Sequence, residues 1–344
     1  MSRNRRHGAE RALCSTPVAT VNRRAILRNV VDQDQIAQLL AERVELMHRL
    51  DSLQSMLVNV GYPPGHFYSP VVDVSDPHAI EATRTRTAAP LPAGVAIDAL
   101  KMTSMMTRLA RRHHNFPFPR HQQTGFRFYF DNPFFGPHDA SILFSMLLEF
   151  RPRRVIEVGC GHSSGLLLDT NDRFFDGTME LTLIDPSLVS LRNLWGELGA
   201  GNARLVPARL QDVPLAEFES LTENDILFID SSHVSKTGSD VNYYLFKILP
   251  TLKPGVLVHV HDILYPFEYP IEWILQEKRG WNEAYALHAF LQYNSAFEIV
   301  YWNNFTFHHL REQLGRLVPL CLENEGGSIW LRRISNRPVM TRYR

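Results

Sequence analysis

The sequence has few cysteines and no excess of charge of either sign. Its 344 residues include three cysteines, Cys14, Cys160 and Cys321, too few and too scattered for a disulfide framework or a zinc site. The 36 basic side chains balance 36 acidic ones, so net charge gives no reason to expect a nucleic acid or an acidic substrate. A partner held by a global electrostatic field is therefore excluded.

Long apolar runs and internal repeats are missing as well. No stretch approaches the roughly 18 apolar residues that a membrane-spanning helix needs. The first twenty residues carry arginines without an apolar run behind them, which is not the pattern of a secretory signal. We therefore expect a cytoplasmic protein without a membrane partner, and its 44% of hydrophobic residues are ordinary for a globular core.

Two N-terminal segments precede the main pattern. Residues 1–31 are rich in arginine and contain one acid, Glu10. We interpret them as a basic, disordered arm rather than a surface that touches phosphates or anionic lipids. Residues 62–120 are predicted to contain a linker rich in Pro, Ala and Thr at 62–94 and then a short helix at about 95–112.

Residues 32–61 are predicted to form an amphipathic helix between those segments. Apolar residues fill all but one of its heptad seam positions, the pattern typical of a coiled coil. We therefore predict a homo-oligomer formed through residues 32–60; the alternative is a helix that lies on its own domain. The seam positions are Ile36, Leu39, Arg43, Leu46, Leu50, Leu53, Leu57 and Val60.

From residue 121 to residue 344, apolar strands alternate with helical segments. Continuous Val, Ile and Leu runs of this kind predict a parallel sheet covered on both faces. The expected fold is α/β, a Rossmann-like, doubly wound and mostly parallel sheet. The predicted strands are 153–159, 181–187, 203–206, 225–233 and 255–262.

The end of the first predicted strand carries an acid and two glycines, "EVGCG" at residues 157–161, and the second strand ends at Asp185. An acid-x-Gly-x-Gly turn with a later acid resembles the class I S-adenosylmethionine-dependent methyltransferases. The resemblance implies S-adenosyl-L-methionine as cofactor and a methyltransferase domain over residues 121–344. It places three groups of residues around the cofactor. They are Glu157, Gly159, Gly161, Ser163 and Ser164 at the methionine part, Asp185 at the ribose, and Gln211 and Asp212 at the adenine.

Acids and histidines end two further strands, "FIDSSH" and "VHVHD". The fold would place those strands side by side, next to the methyl group. This pair of motifs is similar to metal-dependent sugar O-methyltransferases, and the similarity implies a Mg²⁺ or Mn²⁺ site at Asp230, Asp262 and His261. His261 stands where those enzymes carry an acid, which favours a second role as general base.

The catalytic candidates are His261, His233 and Asp230, with His233 in support of the metal site. A hydroxyl needs deprotonation or polarisation before it attacks a sulfonium, and a cation or an imidazole provides it. We interpret His259, which lies inside the strand, as a core histidine with its hydrogen bonds made.

The leading hypothesis is methyl transfer to a hydroxyl of a small molecule or sugar. Aromatic residues at 265–285, with the stretch 125–140, suit a ring-bearing acceptor. Three alternatives stay open: a metal-free N- or O-methyltransferase, a nicotinamide-dependent oxidoreductase, and a non-catalytic assembly protein in which the coiled coil carries the function.

Overall fold

A computed structural model describes residues 33–57, 61–84, 86–88, 90–188 and 194–334. The chain divides into two compact units, Met1–Pro63 and Pro64–Arg344. The basic arm predicted at residues 1–31 lies outside the described residues. No helix in the described part of the chain is long and apolar enough to cross a bilayer.

The first unit contains one long helix, α1, at Gln33–Leu57. It lies within the span predicted from the heptad pattern, and Gly61 and Pro63 follow it. Val60, the last predicted seam position, lies outside the described residues. Self-association through this helix stays a prediction.

The second unit is built on a seven-stranded sheet in the order β3-β2-β1-β4-β5-β7-β6. Five strands are parallel, and β7 runs antiparallel to β5 and β6. The prediction of a doubly wound, mostly parallel sheet is confirmed; β6 and β7 are not among the strands predicted above. The strands are β1 (Arg154–Val158), β2 (Glu180–Ile184), β3 (Arg204–Val206), β4 (Ile226–Ile229), β5 (Leu257–Val260), β6 (Phe297–Trp302) and β7 (Ile329–Arg333).

Helices cover both faces of this sheet. Apolar side chains of the strands alternate between two large buried clusters, one on each face. Residues 244–248 continue α7 as a π-helical turn, and a second such turn spans Glu272–Gln276. The helices are α2 (Pro77–Arg84), α3 (Ala99–His113), α4 (Pro137–Phe150), α5 (His162–Phe174), α6 (Leu215–Glu219), α7 (Asp240–Tyr243), α8 (Glu283–Leu291), α9 (Asn303–His309) and α10 (Arg311–Leu317).

Helix α3 is part of the core, although the predicted domain starts only at residue 121. Its apolar face, which includes Met102, Met106 and Leu109, is fully buried against β6 and α4. Asp98 caps its first turn by accepting a hydrogen bond from the backbone N–H of Lys101 (3.0 Å). The compact unit begins at Pro64 and so includes α3. Methionines at helical spacing pack α3 against the rest of that unit.

Candidate active site

The order of the strands reverses between β1 and β4, so a crevice opens beyond their carboxyl ends. Gly159 follows β1 there with a φ of +80°, and a Cβ atom on it would lie 1.6 Å from the carbonyl oxygen of Asp230. The backbone N–H of Asp230 in turn donates to the carbonyl of Val158 (2.8 Å). Glycine is required at 159 because the two strand exits touch.

Glu157, the acid of the glycine motif, is fully buried at the end of β1. Its carboxylate accepts hydrogen bonds from the hydroxyls of Ser163 (2.6 Å) and Ser164 (2.5 Å), in the first turn of α5. Ser164 also accepts from the backbone N–H of Gly161 (3.0 Å). Burial raises the pKa of Glu157 to about 8, and the two serine hydroxyls act in the opposite direction. These three predicted cofactor residues thus bond to one another and hold the turn.

A cavity of about 410 Å³ lies beyond the ends of β1, β2 and β3. Asp185 lines it and accepts from the backbone N–H groups of Cys160 (3.1 Å) and Ser187 (2.6 Å). Gln211 lines it too, with its amide N–H donating to the carbonyl of Gly238 (2.7 Å). Asp212 lies on the surface, paired with Arg209 (2.9 Å), and is not among the lining residues.

A larger cavity, of about 1140 Å³, lies beyond the ends of β4 and β5. Asp230, Ser231 and Ser232 line both cavities, so the two adjoin at the end of β4. The other lining residues are Pro133, Phe134, Phe135, Cys160, Gly161, His162, Ser163, Leu194, His233, His261, Asp262, Trp273, Arg279 and Trp281.

Two carboxylates and an imidazole meet at the floor of this larger cavity. The Nε2 atom of His233 lies 3.3 Å from a carboxylate oxygen of Asp230 and 3.7 Å from one of Asp262. One ligand atom from each of the three residues lies within 4.8 Å of the others, a spacing that a single metal ion bridges. Both acids keep part of their side chains exposed, 29% and 19% respectively.

His261, the histidine that the sequence assigns to the metal, lies at the edge of this group. Its Nε2 is 3.7 Å from the other carboxylate oxygen of Asp262, and its Nδ1 is 3.4 Å from the hydroxyl of Ser328. Ser328 donates to Asp139 (2.5 Å), a buried acid in the first turn of α4. The structure therefore places His233, more than His261, between the two acids.

A buried acid orients His233 from behind. Glu283, at the start of α8, is fully buried and lies 2.8 Å from the Nδ1 atom of His233. Its other oxygen accepts from the hydroxyl of Tyr244 (2.7 Å). Because a carboxylate takes the Nδ1 hydrogen, the Nε2 atom faces the two aspartates. The sequence reading missed this role, although an acid in the otherwise apolar run "EAYALHAFL" was the available signal.

The electrostatics of the cluster follow from these contacts. Burial lowers the pKa of His233, but hydrogen bonds to Asp230 and Glu283 outweigh burial and hold that pKa well above its ordinary value. Burial raises the pKa of Asp262, which the charge of His261 only partly offsets. Burial likewise raises the pKa of Asp230, but His261 and His233 outweigh it and leave the pKa lowered. The charges of His233, Asp230 and Asp262 therefore interact strongly, because the three side chains lie close together and are largely buried.

The backbone is strained at both strand exits. His233 and Asp262 have φ values of +58° and +56°, in the left-handed region that residues with a Cβ atom rarely adopt. Each such residue costs on the order of 1 kcal/mol, and such residues cluster at functional sites. With this backbone conformation, both side chains line the larger cavity.

His259 is buried in β5, as expected, and its ring stacks on Phe228 with centroids 3.7 Å apart. The expectation that its hydrogen bonds are made is wrong: within the described residues, neither ring nitrogen has a partner. Burial holds the pKa of His259 well below its ordinary value, so the ring packs as a neutral aromatic.

Aromatic side chains form the walls of the larger cavity. Trp281 packs against the ring of His233 with centroids 4.2 Å apart, and the guanidinium of Arg279 lies 4.4 Å from the ring centre of Trp281. Phe134 and Phe135, from the predicted stretch 125–140, also line the cavity. Tyr265, Phe267 and Tyr269, which also carry the aromatic pattern, are instead buried in the core.

Comparisons with known proteins agree with this geometry. Residues 156–263, from β1 to just beyond β5, match the family model described as a methyltransferase domain. An uncharacterized protein of Archaeoglobus fulgidus is 31% identical over 184 residues, which are 51% of this chain and 82% of that protein. The chain belongs to the class I S-adenosylmethionine-dependent methyltransferases.

Solved structures similar to this methyltransferase are more distant. The apo-structure of CmcI-N160 is 16% identical, with 62% of this chain and 76% of that chain covered and a TM-score of 0.38. The structure described as cmcI-N160 SAH is 18% identical, with 62% and 83% covered and a TM-score of 0.36. A DUF574 family protein from Streptomyces avermitilis MA-4680 is 14% identical, with 55% and 78% covered and a TM-score of 0.33. These likenesses are too distant to bear on the reaction.

The cavities of the methyltransferase suit a nucleoside cofactor that reaches toward the cluster of acids. A Cβ atom on Gly161 would meet no atom within 4 Å, so the glycine turn leaves open space beside the larger cavity. The smaller cavity offers an acid at the end of β2 and an apolar wall that includes Ile184 and Leu210. An acid at this place suits ribose hydroxyls, and apolar walls suit a base.

Proposed function

We propose that the protein transfers a methyl group from S-adenosylmethionine to a hydroxyl oxygen of a small, ring-bearing acceptor. The observation that carries this proposal is the junction of the two cavities at Asp230, Ser231 and Ser232. A cofactor in the smaller cavity would present its methyl group at that junction, and an acceptor in the larger cavity would meet it there. Alignment of oxygen, carbon and sulfur is the main contribution that such a site makes.

The smaller cavity supplies the ribose and adenine contacts, and the glycine turn beside the larger cavity supplies the place for the methionine part. Asp185 accepts hydrogen bonds from the ribose hydroxyls, and Gln211 lies at the adenine. Gly161 leaves room for the methionine part. Glu157, Ser163 and Ser164 act indirectly, because their mutual hydrogen bonds fix the turn against which the cofactor lies.

A divalent cation, Mg²⁺ or Mn²⁺, would be held by Asp230, His233 and Asp262. Carboxylate oxygens suit both ions, and the imidazole favours Mn²⁺ over Mg²⁺. This ligand set replaces His261 of the sequence prediction with His233, whose Nε2 lies between the acids. When bound, the ion lowers the pKa of an acceptor hydroxyl. Glu283 keeps the imidazole aimed, and the aromatic walls limit water at the reacting oxygen.

The acceptor is proposed to carry a flat or cyclic body. Phe134, Phe135, Trp273 and Trp281 all line the larger cavity, and aromatic side chains suit a sugar or an aromatic ring. Its volume of about 1140 Å³ lies slightly above the usual range of about 300–1000 Å³ for small-molecule sites. A sugar hydroxyl and a phenolic hydroxyl are the two acceptor chemistries that fit.

A metal-free reaction is the second candidate, and the position of His261 favours it. Its ring lies against the larger cavity, 3.7 Å from Asp262, and the chain of Ser328 and Asp139 holds its other nitrogen. In that reaction His261 would accept the hydroxyl proton as a general base.

The test uses the full chain with S-adenosylmethionine labelled in the methyl group and a panel of catechols and monosaccharides. We expect label in an acceptor hydroxyl, loss of turnover with chelator, and recovery with Mg²⁺ or Mn²⁺. Asp230→Asn and Asp262→Asn should lose the metal response. Turnover that resists chelator but is lost in His261→Gln would establish the metal-free reaction instead. A protein that binds NADH but not S-adenosylmethionine in calorimetry would refute both.

A further inference from the structure

Helix α1 presents an apolar stripe that the described part of the chain leaves exposed. Every side chain described from residue 35 to residue 54 is exposed. Among the seam positions, Leu39, Leu46, Leu50 and Leu53 are each between 54% and 63% exposed. Uncovered leucines on a helix of 25 residues, about 37 Å long, need a partner surface of matching length.

We propose that α1 pairs antiparallel with α1 of a second copy of the chain. The register places Ile36 against the partner's Leu53, Leu39 against the partner's Leu50, and Arg43 against the partner's Leu46. Each of these layers occurs twice by symmetry, as a two-fold interface requires. The two helices then overlap over nearly their whole length.

Arg43 decides between the two orientations. It is the one charged residue among the seam positions. In a parallel, in-register pair, each seam position faces its own copy, so two Arg43 guanidinium groups would share one apolar layer. Like charges placed together in a desolvated layer are strongly unfavourable. The antiparallel pair sets each Arg43 against a leucine, along which its alkyl stem packs while the guanidinium reaches water.

The charges beside the seam favour the same orientation. In a heptad labelled a to g the seam residues are a and d, and the flanking positions are e and g. Glu42 and Arg49 both occupy g positions. In an antiparallel pair a g residue faces a g residue of the partner, whereas in a parallel pair it faces an e residue. In the proposed register Glu42 meets the partner's Arg49, and this pair also occurs twice. Within the described residues, neither side chain has an ion pair; Glu42 accepts one hydrogen bond, from Gln38 (3.2 Å). A shift by one heptad would instead set Arg49 against the partner's Arg49.

The e positions complete the stripe. Leu40 and Met47 occupy them and are both 53% exposed. In the proposed register Leu40 meets the partner's Met47, so the apolar seam is widened on this side. In a parallel pair Met47 would face Glu42 and gain no apolar partner. The g positions therefore form a charged flank of the helix, and the e positions form an apolar flank. Each flank meets its own counterpart on the second copy only when the two helices run in opposite directions.

A charge-swap series on the full chain tests the pairing. The parent protein should sediment as a dimer or a multiple of it. Glu42→Arg and Arg49→Glu should each weaken association by several-fold, because each replaces two attractive contacts with two like-charge contacts. The double variant Glu42→Arg with Arg49→Glu should restore the parent association. A monomeric parent, single variants without effect, or a double variant weaker than both singles would overturn the proposal.

Single cysteines give the orientation directly. Leu39→Cys and Leu50→Cys, mixed after one is fused to a size tag, should form the mixed disulfide on oxidation, with the parent chain as control for its own cysteines. Leu50→Cys alone should form little homodimeric disulfide, because the partner's Leu50 lies far along the helix. Efficient homodimeric disulfide from Leu50→Cys alone would establish parallel pairing and overturn the proposal.

Discussion

The two cavities are built in different ways, although they adjoin at the same strand end. The smaller one is lined by residues at the ends of β1, β2 and β4 and in the loops that follow β3 and β4, among them Gly159 and Gly238. The larger one gathers side chains from residue 133 to residue 281, and its key histidine is held by an acid fifty positions away, Glu283. The cofactor side is thus a local construction, and the acceptor side depends on tertiary packing. The two sides should respond differently to substitution.

The largest effect is expected on cofactor binding, from Gly161→Val, at the glycine turn where the methionine part would enter the larger cavity. The added side chain enters open space in the protein, so the fold should persist, but it fills the path of the methionine part. S-adenosylmethionine affinity should fall by more than about 100-fold, roughly 3 kcal/mol, in calorimetry. Gly61→Val is the matched control, since its Cβ also meets nothing within 4 Å. Equal affinity in Gly161→Val and the parent would place the cofactor elsewhere.

Gly159→Val is less informative than the motif alone indicates. Because Gly159 belongs to the cofactor motif, a side chain there would be expected to collide with the cofactor, but the structure directs the Cβ atom at the Asp230 carbonyl. The substitution would therefore disturb β1 and β4 before any ligand is present. Loss of cofactor binding in that variant would not separate a binding defect from a folding defect.

A smaller effect is expected on the acceptor side, from Glu283→Gln. The amide removes the negative charge behind His233 while keeping the shape of the side chain, so the imidazole becomes a weaker and less fixed ligand. Mn²⁺ affinity, followed by electron paramagnetic resonance, should fall by about 10–100-fold. Tyr244→Phe, which removes only the hydroxyl bonded to Glu283, should have a lesser effect. Unchanged Mn²⁺ affinity in Glu283→Gln would mean that His233 is not a ligand.

A third effect concerns stability rather than ligand affinity, and it is a dependence on pH that arises at Glu157. Burial raises the pKa of this carboxyl from 4.5 to about 8. Between those values the folded chain keeps a proton that the unfolded chain releases, so the free energy of unfolding falls as pH rises. The contribution changes by at most about 1.4 kcal/mol per pH unit and is fully present below pH 4.5.

Denaturant unfolding of the parent and Glu157→Gln between pH 5 and pH 8 measures this contribution. Relative to the parent, the variant should gain stability steadily as pH rises. Glu219→Gln, at an exposed position, serves as control. Parallel pH profiles for the parent and Glu157→Gln would show that Glu157 is already ionised in the folded protein.

The contrast between the cavities also explains what the sequence could predict. Strands β1 to β5 and the residues at their ends follow from apolar runs and glycine turns, which are local signals. Asp230, His233, His261 and Asp262 were expected to meet, because neighbouring parallel strands end at one edge. The sequence could not predict which histidine lies between the two acids, because its position depends on Glu283 and on the left-handed backbone at His233. The core position of α3 was missed because methionine spacing does not reveal which surface it covers.

One set of titrations tests most directly whether the cofactor site and the metal site are separate, because both ligands are titrated into variants of both sites. S-adenosylmethionine and Mn²⁺ are each titrated calorimetrically into the parent chain, Gly161→Val and Asp262→Asn. The parent should bind both, Gly161→Val should bind Mn²⁺ only, and Asp262→Asn should bind S-adenosylmethionine only. A parent that binds neither ligand, or an Asp262→Asn variant that binds Mn²⁺ like the parent, would contradict the account.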